Sequence, residues 1–245
     1  MLSVKMMEKS GSMGSLIAGF YLAEAEFKPD IYNFSLSFAC DPEICEVCGN
    51  QRDATINTAQ IRLLFQLLEE GRQGPASKPV LVAAAGNNKK RISMPASFSR
   101  VFSVKAFDEE SMAQEDYSVY QAVPKDRFIL APGGRREPES AIAIRPDGSW
   151  DRKPTFFGTS FSIAFATGVA ARYICSTKGI GGCTFGRTAS APEEYFELIS
   201  EAFEKSAAKP WEDYQASRHG MGLLRYDLDI VHPLAIETRS PSKNI

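Results

Sequence analysis

The stretch KPTFFGTSFSIAFATGVAARY, Lys153 to Tyr173, decides how this chain is read. Gly158, Thr159 and Ser160 stand directly before a run of small and apolar residues of helical length. Elementary chemistry offers two readings of that serine. A hydroxyl at a helix start accepts a hydrogen bond from an unpaired first-turn N–H, so Thr159 or Ser160 is a helix cap. A serine in the same place is also a fitting nucleophile, because the first-turn N–H groups meet the negative charge that develops in acyl transfer.

The surrounding segments narrow the choice. PVLVAAAG, Pro79 to Gly86, is a continuous apolar run of the kind buried in parallel sheets. VFSVKAF (Val101–Phe107), RFILAPG (Arg127–Gly133) and IYNFSLSF (Ile31–Phe38) read as further strands, and Leu2–Met7 as a short one. GSLIAGFYLAEAEF, Gly14 to Phe27, has helical spacing, with Leu16, Ile17, Phe20 and Tyr21 near one face, and Lys28-Pro29-Asp30 breaks it. A second helix runs from Thr58, which caps it, to Gly71, with Ile61, Leu64, Phe65 and Leu68 as its apolar stripe. A third runs from Ser160 to about Cys175 and a fourth, amphipathic, from about Pro192 to Lys205. Pro146-Asp147-Gly148 between two extended runs predicts a hairpin insertion. Alternating strands and helices predict an α/β fold: three layers, a mostly parallel sheet with helices on both faces. Active sites in such sheets gather at the carboxyl ends of strands, where SLSF, AAAGNN and LAPGG fall. No repeat or long linker divides the 245 residues, so a single domain is expected, with a frayed tail from residue 234.

Composition excludes several classes. The chain is 44% hydrophobic and 24% charged, enough for a packed core. Net charge is -2 and the Lys and Arg are scattered, which argues against nucleic acid as a partner. No apolar run approaches the roughly 20 residues of a membrane span, so no membrane partner is expected. The opening MLSVKMMEKSGSMGS lacks the basic-then-apolar pattern of a signal peptide. Five cysteines, an odd number, point to free thiols in a reducing compartment such as the cytoplasm. Cys40, Cys45 and Cys48 lie in CDPEICEVCGN, where the Cys-x-x-Cys-Gly step resembles a zinc knuckle. A fourth ligand from Asp41, Glu43, Cys175 or Cys183 would come only through the fold; the other reading is plain loop cysteines.

Taken in order, VLVAAAGNN, MPASFSRVFSVKAF, ILAPGG, FFGTSFSIAFATGVAA and HGMGLLRYDLDIV resemble the subtilisin-like serine proteases, over about residues 2 to 232. The resemblance implies peptide-bond hydrolysis through an acyl-enzyme on Ser160, with Asn87 and the Ser160 N–H as oxyanion donors and no cofactor. It implies a substrate pocket between Ser35, Leu36 and Ser37 on one wall and Ala84, Ala85 and Gly86 on the other, with Thr159 nearby. Gly11, Ser12 and Met13 match an edge segment that pairs with an extended polypeptide substrate.

The pattern also departs from the family. The triad order there is Asp, His, Ser, and the resemblance places the strand with the Asp and the helix with the His ahead of Leu2. The only histidines here, His219 and His232, both follow Ser160 at positions where the family puts no catalysis. Ser37 and Met13 replace glycines. Ser160 therefore needs a base from a second polypeptide or segment, which would also fill a strand position of the sheet. Two alternatives stand beside this reading: a catalytically inactive domain that binds a peptide or protein, and an unrelated α/β domain whose Ser160 is only a cap.

Overall fold

Val80 to Ala84 is buried along its whole length, as a strand must be when helices cover both faces of its sheet. The computed structural model describes residues 13–36, 64, 78–87, 92, 94–98, 100–108, 113–114, 128–134, 141–144, 150–153, 157–178 and 195–225. In chain order these form helix α1 (Met13–Glu26) and strands β1 (Ile31–Phe34), β2 (Val80–Ala84), β3 (Val101–Asp108) and β4 (Ala113–Gln114). Strands β5 (Phe128–Pro132), β6 (Ala141–Ile144) and β7 (Trp150–Lys153) follow, then helices α2 (Thr159–Lys178) and α3 (Tyr195–Ser206). Strand β8 (Ala207–Ala208), helix α4 (Ala216–His219) and strand β9 (Leu223–Leu224) close the described chain.

The main sheet has seven strands in the order β1-β2-β3-β5-β9-β8, with β4 paired to β3 off that path. The pairs β1–β2, β2–β3, β3–β5 and β5–β9 are parallel. The short β4 and β8 are antiparallel to their neighbours. The expected hairpin is present: β6 and β7 pair antiparallel, with Ile144 opposite Trp150.

Alternation along the strands sorts residues into two cores. Val80, Val82, Ala84, Phe102, Val104, Ile129 and Ala131 face Ile163, Ala166, Val169 and Ala170 of α2 and Ile199 and Phe203 of α3. On the opposite face Leu81, Ala83, Val101 and Phe34 meet Leu16 and Phe20 of α1, together with Leu64. Leu64 is helical and buried, as the second helix requires. The rest of that helix, the strand over Leu2–Met7 and the tail from residue 234 lie outside the described residues. Strand β1 stops at Phe34, where its register with Ala83 ends, and Ser35 turns its hydroxyl toward α2. The closing segment folds back on β5: Met221 N–H donates to Phe128 O at 2.9 Å. Gly220 has a φ of 60°, and a Cβ there would lie 2.2 Å from the same oxygen, so only glycine fits.

One charged side chain is sealed in this frame. Lys105 on β3 is 1% exposed, with its ammonium 4.0 Å from the centroid of the Phe128 ring. Burial lowers its pKa from 10.5 to about 8, because the low-dielectric interior disfavours the charged form. The unfolded chain therefore binds more protons between pH 8 and 10.5, and the unfavourable contribution is fully present below pH 8. Lys105→Met is expected to raise stability at pH 7 by up to about 3 kcal/mol. In urea titrations the advantage should shrink as pH rises from 8 toward 10.5.

Candidate active site

The carboxyl ends of β2 and β5 and the amino end of α2 meet at one place. Gly158 N–H donates to Gly133 O at 2.8 Å, which ties the start of α2 to the residue just beyond β5. Across the gap stands Asn87, which follows β2. Its Oδ1 accepts from the Thr159 N–H at 2.9 Å and from the Thr159 hydroxyl at 2.9 Å. The Thr159 Oγ1 in turn accepts from the Gly86 N–H at 3.3 Å. Thr159 is 1% exposed and Gly86 is buried, while Asn87 stands at the exposed end of this latch.

The latch decides which way the Asn87 amide faces. Only its oxygen accepts, so two donors converging on Oδ1 leave the Nδ2 hydrogens for something else. Nδ2 lies beside Gly158, where an added Cβ would approach it to 3.1 Å. Gly158 has a φ of 135°, a conformation that other residues rarely adopt, so the glycine serves both backbone and space.

Ser160 is the second residue of α2 and is half-buried. No described residue hydrogen-bonds its hydroxyl or accepts its N–H. Its carbonyl accepts from the Ser35 hydroxyl at 3.2 Å, and Ser35 is exposed. Ser160, Asn87, Gly86, Thr159 and Ser35 are thus gathered within one junction.

Other expected positions differ. Ala84 and Ala85 are 3% and 0% exposed, and Ala84 points into the core under α2, so any wall there is backbone. Thr159 takes part in the latch and holds Asn87. Leu36 packs against the core beneath α1. Met13 opens α1, so its backbone is helical and the extended edge expected over Gly11–Met13 stops short of it. Gly11, Ser12, Ser37, Cys40, Cys45, Cys48 and His232 lie outside the described residues. Cys175 is a free thiol, and no group of three metal-ligating side chains occurs among the described residues. None of their helices is long and apolar enough to cross a membrane.

His219 is engaged elsewhere. It is 6% exposed, its ring stacks on Trp211 at 4.1 Å, and its Nδ1 accepts the Gln215 N–H at 3.0 Å. Its neighbour Met221 is bonded to Phe128 at the amino end of β5, whereas Gly158, two residues before Ser160, is bonded to Gly133 past the carboxyl end. At ~3.3 Å per residue that strand separates the two by roughly 16 Å. Nearby Tyr214 donates to Gly220 O, and its pKa is raised by burial and then by the Glu204 charge.

A parallel sheet with a Gly-Thr-Ser helix start and an oriented asparagine at its carboxyl ends defines a class: α/β proteins built like serine hydrolases. The subtilase family model matches residues 1–185, and the chain belongs to the subtilase family. No curated protein matches the sequence. Among solved structures it is similar to the prenylagaramide maturation protease PagA, at 23% identity and a TM-score of 0.60, over 89% of this chain and 67% of that one. A lanthipeptide protease matches at 16% identity and a TM-score of 0.62, over 89% of this chain and 66% of the other. The epidermin leader peptide processing serine protease EpiP from Staphylococcus aureus matches at 16% identity and a TM-score of 0.60, over 88% and 53%. The chain thus spans between about half and two thirds of these proteins.

The latch carries a stability prediction. Thr159→Val keeps the shape but strips the hydroxyl that joins Gly86 to Asn87, leaving a buried N–H without its partner. Denaturant unfolding should show a loss of about 1–3 kcal/mol, with Thr159→Ser close to the parent. Equal losses in both variants would mean that the methyl group, not the hydroxyl, is what matters.

Proposed function

We propose that this chain carries the nucleophile and oxyanion donors of a subtilisin-type serine endopeptidase. The observation that supports this most is the Asn87 amide, whose oxygen is held by Thr159 so that its N–H groups are left on the side of Gly158, two residues before Ser160. A plain helix cap does not need that arrangement. In the proposed reaction the Ser160 hydroxyl attacks a peptide carbonyl while an imidazole takes its proton. The Asn87 Nδ2 and Ser160 N–H hold the oxyanion, the amine leaves with the proton, and water then releases the acyl group from Ser160. Extended polypeptide is the substrate class, and peptides that carry a leader, as named for the epidermin leader peptide processing protease above, are the first candidates.

The imidazole and its carboxylate partner are supplied, in this reading, by a second polypeptide or segment. Two surfaces support that. Strand β1 ends the strand order of the described sheet. Helix α2, uncharged and built of small or apolar residues with four hydroxyls from Thr159 to Ala171, leaves Phe161 41% exposed and Ala164 and Gly168 open. Such a helix normally has cover on every side. A Cβ at Gly168 would meet nothing within 4 Å.

The direct test is covalent labelling of Ser160 by a fluorophosphonate, in the chain alone and co-produced with the polypeptide encoded immediately upstream. Labelling should appear with the upstream product and vanish in Ser160→Ala. Asn87→Ala should lower turnover about 10²–10³-fold, the magnitude such a donor carries in subtilisin itself. Labelling in neither sample, with both folded, would leave the second reading: a domain that binds peptide without reacting, consistent with His219 being occupied elsewhere. Gly168→Leu should leave the fold intact, since the site is open, yet abolish the gain from the upstream product. Normal complementation in that variant would rule out the α2 face as the contact.

A further inference from the structure

Two polar side chains at the end of β1 reach across to α2. Asn33 Nδ2 donates to Thr167 Oγ1 at 3.0 Å, and the Ser35 hydroxyl donates to the Ser160 carbonyl at 3.2 Å. Asn33 and Ser35 are two residues apart, so in extended chain they project to the same side. Ser160 and Thr167 are seven apart, two turns of helix, so they share a face. The earlier strand residue meets the later helix residue, so strand and helix run in opposite directions and the two bonds are rungs between them.

Apart from these rungs and the Thr159 latch at its first residue, α2 meets the sheet through apolar side chains. Apolar packing is non-directional, and it leaves small slides and rotations of a helix weakly resisted. Hydrogen bonds are directional and set both. The upper rung holds the peptide plane that follows Ser160, and with it the backbone ψ of the residue that carries the hydroxyl. The lower rung, two turns down, fixes the axial position.

From this geometry we infer that Ser35 is a positioning residue for Ser160, with Asn33 and Thr167 as the second anchor. The inference rests on Ser160 being the nucleophile. It gives Ser35 a task distinct from lining a substrate pocket: an extended peptide that presses on the Ser35 segment presses on the same rung that aims the serine. Recognition at the end of β1 is thereby coupled to the register of α2.

The test uses Ser35→Ala, Ser35→Thr and Thr167→Val in the full chain, co-produced with the upstream-encoded polypeptide. The probe is a small alkyl fluorophosphonate that carries no peptide. Ser35→Ala and Thr167→Val should each lower the limiting labelling rate about 3–10-fold, the range expected for one hydrogen bond. The half-saturating probe concentration should stay unchanged, and Ser35→Thr should restore the rate to within about twofold. An effect of Ser35→Ala confined to half-saturation, or no effect of Thr167→Val, would overturn the inference and return Ser35 to a wall residue. Hydrogen exchange of the first-turn amides of α2 in the chain alone gives a readout that needs no reactivity. Ser35→Ala should speed it about 3–10-fold there and leave the far end of the helix unaffected. If the parent protein labels under no condition, the protease reading fails by itself. Unchanged first-turn exchange in Ser35→Ala then overturns the rung as well, and faster exchange upholds it.

Discussion

The described structure turns on a single acceptor, the Asn87 Oδ1. It takes two donors from Thr159, one from backbone and one from side chain, and so joins the end of β2 to the start of α2. The buried side of this junction, Thr159 and Gly86, has little tolerance, because a donor that loses its partner there is left uncompensated. Once the oxygen is committed, the amide has one orientation. The local chemistry at Ser160 is then a consequence of how the two elements are fastened.

The rest of the fold serves that fastening. Strand β5 delivers Gly133, whose carbonyl receives Gly158 and sets where the helix begins. The apolar cores above and below the sheet hold β2, β3 and β5 in parallel register, so that their carboxyl ends arrive together. The closing segment, with His219, Trp211 and Tyr214 in mutual ring contact, braces the opposite end of β5. This histidine is structural because of where it sits, a strand length away from the junction.

Much of this was legible in the sequence because it rests on pattern. Continuous apolar runs located β2, β3 and β5, and period-3.6 spacing located α1, α2 and α3. The resemblance carried by the Gly-Thr-Ser start and by the asparagine after a strand of small residues implied that the two segments share one site, and Asn87 and Thr159 do meet there. Other features were not readable, for physical reasons. The role of Thr159 depends on a partner 72 residues away, and a threonine at a helix start looks the same whether it caps or latches. Strands β8 and β9 are two residues each and exist only through their pairing. Lys105 reads as a surface residue by type, and only the layers on both sides of β3 bury it. The contacts of Asn33 and Ser35 depend on the axial placement of a helix, which hydropathy does not encode.

The most direct measurement is the structure of the Ser160 phosphonyl adduct. The account predicts one phosphoryl oxygen about 2.7–3.1 Å from both the Asn87 Nδ2 and the Ser160 N–H, with the Asn87 Oδ1 still bound to Thr159. An oxygen directed away from Asn87, or an amide turned so that Oδ1 faces the adduct, would contradict it.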